Sequence, residues 1–234
     1  MVNAPVTLFD PNELPRYAVP EAAHYLRMSE TTLKSWVAGR SYPVSGGERH
    51  WAGLIKRPDD ADPRLSFSNL IEAHVLLALR KQYGVKMKEV RESLEVAQAK
   101  FEISRVLLSP QLRATKGNVF LKQINRLTNL SKGGQEAMPE ILEAYLERID
   151  WNIAGMPDRM YPLTRPAALG APKLLTIDPR IAFGRPVVKR NAITTSAIAE
   201  RFRAGESISD LADDYDLEVI EVEEAIRYEL PDAA

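Results

Sequence analysis

The stretch Tyr17–Arg40, YAVPEAAHYLRMSETTLKSWVAGR, constrains this chain most, because its punctuation leaves room for two short helices and a tight turn. Ala18, Ala22, Ala23 and Leu26 mark an apolar stripe on the first helix. Pro20 is tolerated there because an opening turn has N–H groups without intrahelical partners. Ser29 is the expected N-cap of the second helix, which runs to about Ala38 and stops at Gly39. Leu33, Trp36 and Val37 share one face of that helix, and Thr31, Lys34 and Ser35 fall roughly opposite. Small polar and basic residues facing outward on the second helix predict a helix-turn-helix that reads double-stranded DNA. An ordinary helical hairpin in a core would show the same apolar pattern, and the residues after Arg40 decide between them.

Those residues are basic and turn-rich. After a Gly46-Gly47 turn come two short apolar runs, Trp51–Ile55 and Leu65–Phe67, around the polar segment KRPDDADPR. They read as a β-hairpin, and a hairpin after a recognition helix is a wing. Arg49, His50, Lys56 and Arg57 would sit on or beside it, facing phosphates. With Arg27, Ser29, Thr31, Thr32, Lys34, Ser35 and Arg40 they make the expected DNA-binding set. Between Pro15 and Arg57 seven basic residues face three acidic ones, whereas from Asn191 onward three arginines face twelve acids. A chain of net charge −1 that is polarised in this way has different partners at its two ends.

The remainder is mostly helical in pattern. Ser68 caps a helix to Tyr83, Gly84 ends it, and a second helix runs from Lys86 to about Ser104. Met87, Val90, Leu94, Ala97 and Phe101 form a heptad-like seam on it, suited to packing on its own domain or to a homodimer. Between 105 and 172 the pattern suggests short strands at Val119–Leu121, Arg126–Leu130 and Arg159–Leu163, a helix at Gln135–Ile149 and a proline-rich connector. From Lys173 two β-rich runs, Leu174–Ile177 and Pro186–Lys189, precede three helices: Thr195–Ala204, Ser207–Tyr215 and Glu218–Glu229. Ser207 and Asp210 have capping-box spacing. This second trihelical unit has a helix-turn-helix outline, but its acids would repel DNA, which points to a protein partner.

Catalytic chemistry finds no footing. There are no cysteines, so disulfides and thiolate metal sites are excluded. His24, His50 and His74 are scattered, and Asp59, Asp60 and Asp62 lack the glycine and distal glutamate of a calcium loop. Asp210, Asp213, Asp214 and Asp216 crowd one short helix and cannot converge as a two-metal site does. The expectation is a non-enzyme without cofactor or metal. No apolar run is long enough to span a membrane and the start has no secretory pattern, so a cytoplasmic location is expected.

Two resemblances sharpen this. The helix-turn-helix, the basic wing and LSFSNLIEAHVLLALRKQYGVKMKEVRESLE together resemble the DNA-binding domain of MerR-type regulators over residues 16–95. Ile177, Pro179, Gly184 and Pro186, then Ala204–Ile208 and Tyr215–Leu217, resemble a small bacterial domain family formerly of unknown function, with Lys189–Ala192 standing where that family has a Gly-Thr-Arg step. The combination is similar to the large VapB-type antitoxins of toxin–antitoxin systems. The resemblance implies a mainly α fold with small β elements, divided into an arm (1–15), a winged helix-turn-helix (16–104), a middle α+β region (105–172) and an antitoxin-like trihelical domain (173–234). It also implies autoregulatory promoter binding, a homodimer, and neutralisation of a cognate PIN-domain ribonuclease toxin. Arg180, Arg185, Lys189 and Arg190 are the basic residues expected to meet the toxin's carboxylates. A stand-alone MerR-like regulator sensing a small ligand through residues 105–172 is the alternative.

Overall fold

Helix α1 (Val19–Tyr25) and helix α2 (Glu30–Ala38) form the expected helix-turn-helix in the computed structural model, which describes residues 10–44, 47–83, 87–102, 105–109, 142–164 and 170–230. Ser29 caps α2 by accepting from the Thr32 amide, and Gly39 terminates it at φ 79°. Ala22, Ala23, Tyr25, Leu26, Leu33 and Trp36 are buried, so the apolar stripes of both helices close on one core. Between them α1 ends in a Schellman arrangement: the Met28 amide donates to Ala23 and the Arg27 amide to His24. The residue that turns left-handed there is Arg27, at φ 49°, where glycine is usual.

The wing differs from its expected register. Strands β1 (Arg40–Val44) and β2 (Gly47–Trp51) pair antiparallel, from Arg40 opposite Trp51 to Val44 opposite Gly47. The hairpin therefore leaves α2 directly through Gly39. Trp51–Ile55 and Leu65–Phe67 are not its two arms. The amides of Leu54 and Ile55 donate to the Trp36 carbonyl, Ile55 is buried, and Leu65 bridges Tyr17. Past Trp51, which ends β2, the run is apolar because Leu54 and Ile55 seal the end of the recognition helix, not because it is a strand.

Helix α3 (Phe67–Tyr83) starts two residues early and is capped by Ser66, whose hydroxyl accepts from the Asn69 amide while Asn69 accepts from the Ser66 amide. Ser68, the expected cap, is buried and donates to Glu13. Helix α4 (Met87–Phe101) turns its seam inward: Val90, Leu94 and Ala97 are buried in the same core as α1–α3. That core also takes in Val106–Leu108, Leu142, Tyr145, Leu146, Ile149 and Met160, so the described parts of the middle region pack against the N-terminal helices. Residues 142–146 are helical, but Ile149 opens strand β3 (Ile149–Trp151) instead of extending that helix, and pairs with β4 (Pro157–Met160). The strands expected at Val119–Leu121 and Arg126–Leu130 lie outside the described residues.

His74 joins these two parts. It is buried and its Nε2–H donates to the Tyr145 carbonyl at 3.1 Å. Burial pushes its pKa from 6.5 to about 4, against the hydrogen bond to Tyr145. Below pH 6.5 the unfolded chain binds a proton on this ring that the folded chain takes up only near pH 4, so acidification across that window favours unfolding. Between pH 7 and pH 5 the wild type should lose about 2 kcal/mol more stability than His74→Gln, which keeps a donor but cannot charge. Urea melts at the two pH values measure this.

The C-terminal unit matches its expected outline. Strands β5 (Leu175–Thr176) and β6 (Val187–Val188) pair antiparallel, followed by α5 (Thr195–Arg203), α6 (Ile208–Tyr215) and α7 (Val219–Glu229). Ser207 caps α6 by accepting from the Asp210 amide at 3.1 Å. Leu175, Val188, Ile198, Leu211, Val222, Ala225 and Tyr228 form a second core.

Candidate nucleic-acid interface

Helix α2 exposes a short polar strip. Thr31, Lys34 and Ala38 are exposed, with Thr32 and Ser35 half-buried beside them. The strip continues into Arg40 and Ser41 at the root of β1, and Arg80 from the end of α3 completes one open concavity with them. Ser29 and Thr32 are engaged locally, since the Ser29 hydroxyl donates to Thr32 Oγ1 at 2.8 Å. Ser35 donates to the Thr32 carbonyl. Across the wing, Ser41 and His50 are bonded at 3.1 Å and His50 is exposed. The Arg49 side chain lies outside the described residues. A neighbouring cleft is lined by Trp36, Trp51, Leu54 and Met87 with Arg40, Arg80, Lys88 and Arg91. Arg91 sits 5.4 Å from the Trp51 ring centre, and its burial there lowers its pKa. Arg80, Lys88 and Arg91 escape local motif reading. Their signal is only that the α3–α4 junction is rich in basic residues, which the fold brings back to the recognition helix.

Two expected DNA contacts, Arg57 and Arg27, are engaged elsewhere, and a third, Lys56, stays exposed. Arg57 folds the acidic loop onto itself, donating to the carbonyls of Asp62 at 3.0 Å and Asp60 at 3.2 Å. Lys56 is exposed, with its carbonyl accepting from Asn69. Arg27 points away from the strip. Its guanidinium donates to the Arg227 carbonyl at 2.9 Å and the Tyr228 carbonyl at 3.3 Å, at the end of α7. A cation at a helix C-terminus meets both unpaired carbonyls and the negative end of the helix dipole. This partner accounts for a bulky residue accepting the left-handed turn position, which costs roughly 1–2 kcal/mol for an L-residue.

Arg27 is one of several contacts by which the C-terminal unit docks on α1. Tyr228 donates to the Tyr25 carbonyl at 2.9 Å, and His24 pairs with Glu229 at 3.0 Å. Arg16 donates to the Pro179 carbonyl, and the buried Tyr17 hydroxyl to the Gly184 carbonyl at 3.2 Å. Burial pushes the Tyr17 and Tyr228 hydroxyls well above the ordinary tyrosine range. No local pattern announces this interface, because most of its acceptors are backbone carbonyls.

The basic residues expected to meet a toxin divide in two. Arg180 is held by Asp178 and Asp158, at 2.8 and 2.9 Å. Arg190 bonds Glu218 and Glu221. Arg185 and Lys189 are exposed and, among the described residues, have no carboxylate partner. The acids of the C-terminal unit are likewise partly spent: Glu206 and Asp214 on Arg201, and Glu224 on Arg227 and Thr164. Among the described residues no group of His, Asp and Glu is placed to hold a metal ion, and no helix is long and apolar enough to cross a membrane.

Comparison with known proteins finds two families matched along the chain. Residues 15–94 match the family described as "Putative DNA-binding HTH domain". Residues 175–228 match "Protein of unknown function (DUF433)". The chain is 27% identical over 220 residues to a Mycobacterium tuberculosis protein named "Putative antitoxin VapB45", covering 87% of this chain and 89% of that one. The crystal structure of Rv2018 from Mycobacterium tuberculosis superimposes with a TM-score of 0.66 at 25% identity, over 93% of this chain and 99% of the other. A helix-turn-helix DNA-binding domain and a DUF433 domain thus stand in one chain, which is similar along most of its length to a protein named as a putative antitoxin.

Proposed function

We propose that this chain is the antitoxin of a toxin–antitoxin pair, which binds its own promoter through α2 and the wing and neutralises a PIN-domain ribonuclease through its C-terminal unit. It acts in the cytoplasm by binding, not catalysis. The observation that carries the DNA half is the concave strip of Thr31, Lys34, Arg40 and Arg80, with small polar residues between the cations. A helix face of this kind fits a major groove, and the flanking cations fit phosphates. One such module buries too little surface for tight specific binding, so a symmetric dimer on a palindromic site is part of the reading. The α4 seam is used within its own core, and the dimer forms elsewhere.

The regulator alternative needs a ligand chamber in the middle region. One cavity that its described residues line, beside Tyr25, His74 and Leu77, has room for about 20 Å³, a single water. Gel shifts with the upstream region at two salt concentrations test the DNA half. Lys34→Ala and Arg40→Ala should each weaken binding roughly 10- to 100-fold if they meet bases, or lower the salt slope by about one if they meet phosphates. No shift at low salt sinks it. Co-expression with the adjacent reading frame tests the other half: a product that neither co-purifies nor is neutralised refutes the antitoxin role.

A further inference from the structure

The turn between β5 and β6 has a backbone that packing alone does not explain. Ala182, Phe183 and Gly184 have φ values of 47°, 57° and 79°, three left-handed residues in succession. L-residues visit that region singly, and a bulky one rarely. The residue so held is Phe183, which is 85% exposed. Strain that keeps an aromatic ring in water does nothing for the isolated fold, and strain of this kind persists where function needs the conformation.

The mount of this ring is rigid. The Gly184 amide donates to Ile181 at 2.8 Å and the Arg185 amide to Ala182 at 3.2 Å. At the base, buried Asp178 accepts from the Arg180 amide and guanidinium. On the far side the Gly184 carbonyl accepts from Tyr17, itself fixed in the N-terminal core. A ring pre-positioned in this way loses little freedom on binding, as an interface anchor requires. The two cations on the same segment that lack carboxylate partners among the described residues, Arg185 and Lys189, lie two and six residues further along.

We propose that Phe183 is the anchor by which this chain grips its toxin: the ring fills an apolar pocket of that protein while Arg185 and Lys189 meet carboxylates at its rim. The proposal rests on the antitoxin reading and deepens it. Charge selects the occupant. A metal-dependent ribonuclease carries clustered carboxylates, whereas a second copy of this surface would set Arg185 against like charge.

The test uses the full-length chain and the product of the adjacent reading frame, with affinity measured by calorimetry, promoter binding by gel shift and stability by thermal melting. Phe183→Ala should weaken binding to that product at least tenfold, and Arg185→Glu should weaken it as well. Promoter affinity should stay unchanged in both. Ile153→Ala, at another fully exposed apolar residue, should leave both affinities as they are. Phe183→Asn suits a left-handed backbone, so it should lose toxin affinity with no fall in Tm. Unchanged affinity in Phe183→Ala overturns the anchor and leaves the antitoxin reading intact. A wild-type chain that does not bind the product removes both. A loss of promoter affinity, or a Tm that falls with toxin affinity in Phe183→Asn, assigns the ring to DNA or to the fold and overturns the proposal.

Discussion

Gly39→Ala should destabilise the protein by about 4 kcal/mol and abolish DNA binding, a larger effect than removing any one charge from the recognition strip. Gly39 joins α2 to β1 with φ 79° and ψ −171°, a combination open essentially to glycine alone. An alanine Cβ there would lie 2.1 Å from the Trp51 carbonyl oxygen and 3.0 Å from the Ala52 carbonyl carbon. Both are backbone atoms, pinned because the next amides, Leu54 and Ile55, cap the Trp36 carbonyl. The chain cannot relieve the contact without lifting the wing from the end of the recognition helix, which would move Arg40 and Ser41 off the Lys34 strip. Gly205→Ala is the control. Gly205 also has positive φ, 102°, but a Cβ there meets nothing within 4 Å, so it should cost only about 1 kcal/mol. Thermal melting and gel shifts on the two variants separate backbone strain from the loss of the wing's seat. Equal effects would show that the Trp51 contact carries nothing.

Local chemistry makes much of this fold readable. Ser29, Gly39 and Ser207 cap where their residue types say they should, and α5–α7 follow from apolar spacing and Gly205. The wing misleads because its true strands, RSYPV and GERHW, contain few β-formers, while the apolar WAGLI looks like a strand although its Trp51 alone belongs to one and its Ile55 goes into the core. Ser66 displaces Ser68 as a cap because Asn69 closes a reciprocal pair with it, which residue type alone does not reveal. The site is legible where side chains face outward from one helix, as with Thr31 and Lys34. It is not legible where a cation's partner decides its role. Arg27 and Lys34 are equivalent as letters, yet Lys34 faces solvent and Arg27 closes on carbonyls about 200 residues further along. Arg80 enters the strip only because α3 returns to α2, a matter of tertiary packing.

Gly184→Ala should be the most disruptive change at the junction of the two halves, costing about 3 kcal/mol. Its φ of 79° disfavours alanine, and the new Cβ would stand 2.1 Å from the Tyr17 hydroxyl oxygen and 3.0 Å from Cζ. A tyrosine tip could normally swing aside, but Tyr17 is 2% exposed, edge-on to Tyr25 at 6.1 Å, and tied through its backbone to Leu65. The clash therefore falls on the docking of the C-terminal unit. Tyr17→Phe removes one buried hydrogen bond and should cost about 1 kcal/mol alone. In the Gly184→Ala background the same substitution deletes the nearest clashing atom, so the double variant should be more stable than Gly184→Ala by roughly 1 kcal/mol, a coupling of opposite sign to the single effect. Additive losses would mean that the alanine is tolerated by movement of the turn and that Tyr17 does not hold it. If the coupling appears, the helix-turn-helix and the Phe183 turn share one contact, through which an event at the C-terminal surface reaches the first residue of the DNA-binding core.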